Sequence, residues 1–538
     1  MAPTIVRNAR LFTSTEGSDE LVEGCLMFED GQIEYVGPEK SEIIDQARAS
    51  GATEVDAGNR VVSPGFIDGH THILHFGMSL NKVDLLTCTS LDEIRERIRA
   101  YAQSHPSEPR ILCRGWIQVV TGGQALASML DDLDPRPIYI DSFDLHSAWC
   151  NTAALDELGV ASMEDPPGGK IHRDEQGRPS GLLSEGVLFV IVWPFLDKTR
   201  TPEQTQAAID RAVSALSRAG YTGVIDLAME QDKWEALGTY RARKQLALHV
   251  GAFWLMTYSD KEEELEAQVD KAIEMNRQFP PSSSPSFCVL GVKIVGDGVV
   301  DSCTAALSQP YGGLADLVDP IWPAEAEAKV IRRADAAGLQ CAVHAIGDKT
   351  VSQTIDIFAS LKAPSRRHRI EHLELTSEAD AKRLGEVGII ASVQPVHSDP
   401  ALFKAWPGLV GADRCKRAFA YREFHDGGAP LAFGTDAPTA AHFPLPNLYN
   451  ATTRRSALEP ESPAATNPQF AVSLATALRA ATAGAAYSRH AERWMGSLQK
   501  GASADFILID MDWLPDRLLK ARVSQTWFQG QKVFDAEA

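Results

Sequence analysis

A chain of 538 residues is longer than a single hydrophobic core grows, so one large domain and a smaller one are expected. Hydrophobic residues at 44% and charged residues at 23% exclude wholesale disorder. A formal charge of −20, from 72 acidic against 52 basic side chains, argues against nucleic acid and against anionic membrane as partners.

The N-terminus, MAPTIVRNARLF, lacks the apolar stretch and cleavage site of a secretory signal. The longest apolar run, Leu246 to Met256, is interrupted by His249 and is too short to span a bilayer, so a cytoplasmic protein is expected. Residues 1–62 read as β-rich: TIVRNARLFTS, GCLMFEDGQIEYVG and TEVDAGNRVVSPG alternate or cluster apolar residues between Gly, Asp and Asn turn signals. Residues 504–535 have the same texture, and residues 1–62 and 490–538 are expected to fold together as a small β-sandwich domain.

Residues 63–489 read differently. Short, near-continuous apolar runs ending in polar residues (GFIDGH, GVIDLA, LALHVGAFWLM, CVLGVKIVGDG, LQCAVHAIGD, RHRIEHLEL, IIASVQP, APLAFGTDAP) alternate with segments of helical periodicity. That alternation predicts an α/β fold, either an open doubly wound sheet or a (β/α)8 barrel. The polar residues at the C-terminal ends of many different strands favour the barrel, which gathers its active site there. Residues 110–190 are rich in Gly, Pro and Asp, break the alternation, and read as an insertion over the barrel mouth. Eight cysteines without a CxxC pair predict reduced thiols, with Cys88, Cys113, Cys150 and Cys341 buried; Cys303 is near motif residues but reads as structural.

The strongest local signal is PGFIDGHTH at 64–72. Along a strand His70 and His72 share a face, so both imidazoles can reach one metal ion, whereas His75 is turned away by its spacing. By itself His-x-His is a weak signal. Lys293, flanked by Val292 and Ile294, is an awkward place for an unpaired cation. His344, His372 and Asp436 each follow another apolar run. Singly, each histidine reads as a core residue bonded to a carbonyl. All six together point to a metal centre.

The ordered series His-x-His, Lys, His, His, Asp resembles the amidohydrolase superfamily with a carboxylated lysine between two metals. More closely still, it resembles the YtcJ-like branch, which includes N-substituted formamide deformylase. Matching segments run over most of the chain: PGFIDGHTH, RGW at 114–116, HSAWCNTAAL at 146–155, PPGGKIHRDEQGRPSGLLSE at 166–185, VKIVGDG, VHAIGD at 343–348, RIEH at 369–372, QPVH at 394–397, FGTDAP at 433–438 and ATAGAA at 481–486. The resemblance implies that His70, His72 and Asp436 bind the more buried ion and His344 and His372 the second. Lys293, as a CO2-derived carbamate, would bridge two divalent ions, with zinc favoured. It implies hydrolysis of a C–N bond in an amide, N-formyl or cyclic amide small molecule by a metal-activated hydroxide, with Asp436 as general base. The same centre would also serve ester hydrolysis, deamination, decarboxylation or cyclisation, and a non-catalytic binding relative is the remaining alternative; an intact Asp436 speaks against that last one.

His146, Trp116, Gln394 and His397 are candidate substrate contacts, with Trp149 as a further apolar wall and Asn151 beside it. Arg369 and Glu371 are read as orienting His372; Asp297 and Asp348 follow predicted ligands and either orient them or cap helices. Thr435 and Ser180 are small departures from the branch's pattern, and Val299 to Cys303 is a larger one. The partner implied is a small-molecule substrate, with no nucleic acid and no membrane; assembly as a homo-oligomer is left open.

Overall fold

Eight parallel strands form the barrel of this computed structural model: β1 (Phe66–Thr71), β2 (Tyr221–Met229), β3 (His249–Met256), β4 (Phe287–Val295), β5 (Gln340–Ala345), β6 (Arg369–His372), β7 (Ile390–Val393) and β8 (Leu431–Phe433). The structure describes residues 2–15, 17–143, 145–166, 169–361 and 363–537; Pro167 and Gly168 of the PPGG motif lie outside the described residues. The strands are buried on nearly every residue, because side chains point alternately into the barrel and out towards helices such as Gln231–Arg243, Glu262–Gln278, Ala324–Ala336 and Asp348–Leu361.

The seam between β1 and the chain after β8 closes the barrel. A Cβ on Gly69 would lie 2.6 Å from the Phe433 carbonyl oxygen, and one on Gly434 would lie 2.4 Å from the His70 nitrogen, so only glycine permits this approach. Across the gap the His70 carbonyl accepts from the Asp436 N–H at 2.7 Å, and the Ala437 carbonyl accepts from the His72 N–H at 3.0 Å. Asp68 locks the seam: its Oδ1 accepts from the Thr435 N–H at 2.9 Å and its Oδ2 from the Thr435 hydroxyl at 2.5 Å.

One irregularity bears directly on function. Ala252 of β3 pairs with Val289, but Phe253 pairs with Gly291, leaving Leu290 as an extra residue in β4. This bulge shifts the alternation by one, so that Gly291 and Lys293 fall on the inward face that Phe253 occupies. Without it Lys293 would face the outer helices.

The chain ends form one eight-stranded sheet, with Val61–Pro64 between Thr4–Leu11 and Phe506–Asp510. Alternate residues build two apolar layers: Val6, Leu26 and Phe28 join Phe506 and Leu508 on one face, while Ile5, Cys25 and Met27 meet the helix Glu42–Ala49 on the other. His249, at the start of β3, is hydrogen-bonded to Asp505 at 2.8 Å and to Ser286 at 2.7 Å, fastening this sheet to the barrel.

Residues 74–212 form a separate compact unit, longer in both directions than the 110–190 stretch that breaks the sequence alternation. Its six-stranded sheet has helix Leu91–Ser104 on the face of Ile111, Cys113 and Ile140, and helix Thr152–Leu158 on the face of Tyr139, Ala148 and Cys150. Trp116 and Trp149 are both buried here, 5.3 Å apart. Among the described residues all eight cysteines are free, with only Cys303 partly accessible, and no helix is long and apolar enough to cross a membrane.

An added methyl group at Gly291 would sit 1.7 Å from the Gln340 carbonyl oxygen, whereas one at Gly238, inside a helix, meets nothing within 4 Å. Gly291→Ala is therefore expected to lower the urea midpoint by the equivalent of about 1–3 kcal/mol or more. Gly238→Ala should raise it by about 0.5–1 kcal/mol. Equal midpoints for the two variants would contradict the close approach of β4 and β5.

Candidate metal centre

Four imidazoles and a carboxylate converge at the C-terminal end of the barrel. Asp436 Oδ1 lies 3.3 Å from His70 Nε2 and 3.1 Å from His72 Nε2. The His372 ring is 4.9 Å from that of His70 and 4.4 Å from that of His344, centroid to centroid. Ligand atoms of His70, His372 and Asp436 all lie within 4.8 Å of one another. Lys293, from β4, is 3% exposed, and its Nζ has no hydrogen-bond partner among the described residues.

Local backbone explains why these side chains meet. In β6, Arg369 and Glu371 point into the barrel, in register with Ala342 and His344 of β5. Strict alternation would send His372 outwards. Instead its φ is +76°, and this left-handed turn swings the imidazole back over the barrel end. Asp436 has φ +58° immediately after the seam. Non-glycine residues hold such conformations only where the surroundings enforce them, at a cost of order 1 kcal/mol or more each.

Glu371 organises the buried charges. Its Oε2 accepts from His70 Nδ1 at 2.8 Å, and its Oε1 accepts from Arg369 Nε at 2.5 Å. A carboxylate can only accept, so His70 carries its proton on Nδ1 and turns the Nε2 lone pair towards Asp436. The expectation that Arg369 and Glu371 orient His372 is corrected: parity places both inside the barrel, where they orient His70. Arg369 is further fixed by the Gly69 carbonyl and the Ser392 hydroxyl, both at 2.6 Å. Burial opposes ionisation of Glu371, yet Arg369 and His70 hold its carboxyl well below the usual range.

Burial also sets the other protonation states. It lowers His70 to about 4 and His372 well below its ordinary value, keeping both neutral. It lowers Lys293 to about 8, despite the opposing pull of Glu371 and Asp436. Burial works against the Asp436 carboxylate too, but His70, His72 and His372 hold it ionised. The neutral imidazoles of His70 and His372, an ionised carboxylate and a lysine without a hydrogen-bond partner among the described residues form a donor set that fits divalent cations.

The other candidates divide. Gln394 reaches the centre, its side-chain amide 3.3 Å from His70 Nδ1. His397 does as well, with Nε2 4.0 Å from Asp436 Oδ2 and Nδ1 3.2 Å from Glu374 Oε1. Burial opposes protonation of His397, but Glu374 and Asp436 outweigh it and raise its pKa. Asp297 accepts from the N–H groups of Ala306, Ile346 and Gly347 at 2.9–3.0 Å, holding the loop after His344. Asp348 accepts from the Ser308 N–H at 2.8 Å. In residues 74–212, Trp116 is 1% exposed and packs in the core, which corrects its reading as a substrate contact. Trp149 packs beside it, and Asn151 caps helix Thr152–Leu158 by accepting from Ala154 N–H. His146 is hydrogen-bonded to Glu185 at 2.7 Å. Sequence reading missed Asp68 and Glu374. The signal for Asp68 lay inside PGFIDGHTH itself, and that for Glu374 was its place two residues after a ligand-type histidine.

The model of the amidohydrolase family matches residues 53–534. The Bacillus subtilis protein YtcJ is 27% identical over 555 residues, covering 98% of each chain. The N-substituted formamide deformylase of Arthrobacter pascens is 24% identical over 540 residues, covering 94% of each. A crystal structure of a metal-dependent hydrolase from Pyrococcus horikoshii superposes with a TM-score of 0.75 at 25% identity, covering 96% of this chain and 98% of its own.

Replacing Glu371 by Gln would leave the buried Arg369 without its counter-charge. A loss of about 3–5 kcal/mol is expected from chemical denaturation. Metal affinity should fall by roughly 10–100-fold as His70 loses its orienting acceptor. Unchanged stability together with unchanged affinity would contradict the role given to Glu371.

Proposed function

Because the chain belongs to the amidohydrolase family, we propose that it is a metal-dependent hydrolase cleaving a C–N bond of an amide, N-formyl or cyclic amide small molecule. His70, His72 and Asp436 would hold one divalent cation, zinc favoured, and His344 and His372 a second, with Lys293 as a carbamate between them. When bound, such ions polarise a carbonyl and lower the pKa of a water. The observation that carries the reading is the Asp436 carboxylate, buried and ionised, with Oδ1 against the Nε2 atoms of His70 and His72.

An ionised carboxylate in that position can accept a proton at the attacking water and deliver it to the departing nitrogen. As the carbonyl gains oxygen and the C–N bond breaks, that proton lets the nitrogen leave as a neutral amine. His70 presents Nε2 because Glu371 fixes its tautomer. Lys293 would supply a second anion only after its ammonium loses one proton, the neutral nitrogen adds to CO2 and a second proton leaves that nitrogen, which removes the difficulty of an unpartnered cation among Val292, Ile294 and the imidazoles. The deformylase relative, by its name, acts on N-substituted formamides, which makes that class the first to assay.

Turnover of a panel of N-substituted formamides, acyl amides and cyclic amides, with metal content measured in parallel, tests the reading. Asp436→Asn is expected to lose about 10²–10⁴ of turnover. Full turnover by that variant would remove Asp436 from the chemistry, and a wild-type chain that binds no metal with bicarbonate present would overturn the proposal.

The amine of Lys293 must be neutral to attack CO2. With its pKa lowered from 10.5 to about 8, the neutral fraction grows as pH rises and levels off above that value. At constant dissolved CO2, the initial rate of carbamate formation followed by 13C NMR should increase roughly tenfold per pH unit below 8 and flatten beyond it. A rise continuing to pH 10 would mean that burial does not depress this amine.

A further inference from the structure

A second group of ligand-type side chains adjoins the centre. His372, Glu374 and His397 present one donor atom each, all within 4.8 Å of one another. The 3.2 Å between Glu374 Oε1 and His397 Nδ1 is close to the roughly 3.3 Å separating two donors held tetrahedrally at about 2.0–2.1 Å from one ion. His372 Nδ1 is buried and has no hydrogen-bond partner among the described residues. Glu374 is 7% exposed, and among the described residues its carboxylate faces His397 rather than a lysine or arginine.

The backbone holds Glu374 there. His372 and Leu373 are consecutive non-glycine residues with φ +76° and +52°, a double turn that returns the chain over the barrel end. The following segment is fastened on both sides: the Glu374 carbonyl accepts from the Phe419 N–H at 2.8 Å, and the Leu375 N–H donates to the Ile346 carbonyl at 3.0 Å. A loop free to swing would place this carboxylate in water. This one is fixed against two imidazoles.

We propose that Glu374 and His397 are ligands: with His372 they complete the donor set of the second divalent cation, beside the position framed by His70, His72 and Asp436. The proposal rests on the metal-dependent reading above and adds two residues to it. Imidazole and carboxylate donors suit zinc and its first-row neighbours.

The test is a titration of the metal-depleted full chain with Co2+ against a competing chelator, reading stoichiometry and the visible spectrum. The wild-type chain should take up two equivalents. Glu374→Gln keeps the size of the side chain and an oxygen able to accept from His397, but loses the anionic ligand. It should retain one equivalent with the spectrum of the first site and bind the second more than about 100-fold more weakly. Loss of an outer partner that merely orients His397 would cost only about 10–100-fold. Two equivalents with affinity reduced by less than that, and an unchanged spectrum, would overturn the assignment. If Glu374→Gln fails to fold by circular dichroism, His397→Gln is judged by the same two readouts. A wild-type chain that binds no Co2+ would instead overturn the metal-dependent function itself.

Discussion

Everything at the site depends on closing the barrel between its first and last strands. Two glycines, Gly69 and Gly434, let the backbones approach, and Asp68 bonds to both the N–H and the hydroxyl of Thr435. That closure puts Asp436 against His70 and His72, residues more than 360 positions earlier in the chain. Burial within the closed seam raises the Asp68 carboxyl to about 7, against the opposing hydrogen bonds from Thr435. A polar clasp of this kind fixes register as well as proximity, because Asp68 matches one residue of the opposing chain.

The second constraint is desolvation. Removing water from the barrel end keeps His70 and His372 neutral and depresses Lys293, so nitrogen lone pairs face a common space. The buried ion pair of Arg369 with Glu371 sits beneath this layer and acts through the tautomer of His70. Protonation at the centre is thus set by depth and by the charges packed within it, Glu371, Glu374 and Asp436 among them.

Backbone irregularities do the aiming. The extra residue at Leu290 turns Lys293 inwards, and left-handed turns at His372, Leu373 and Asp436 redirect side chains that regular strands would send elsewhere. Each departs from ideal geometry at or close to a residue with a proposed chemical role, as expected where local strain is maintained by the surrounding structure.

Much of this was legible in the sequence. Alternating apolar runs and helical segments dictate strands buried on both faces, and polar residues ending those runs mark the barrel's functional end. The similar texture of residues 1–62 and 504–535 anticipated a β domain built from both chain ends, because period-two burial is a local property. The six ligand-type residues could be identified for the same reason: their chemistry and their place at a strand end are written in a few neighbouring letters. Parity was not legible. Whether Lys293 or His372 faces inwards depends on a bulge and a positive φ, and whether Glu371 serves His70 or His372 depends on which strand lies opposite. Trp116 illustrates the same limit, since an aromatic side chain reads alike as a wall for substrate or as core until its neighbours are known. Sequence determined which donors exist and where strands end; only tertiary structure decided which donors meet, because a one-residue shift in a strand reverses the face and long-range closure selects the partner.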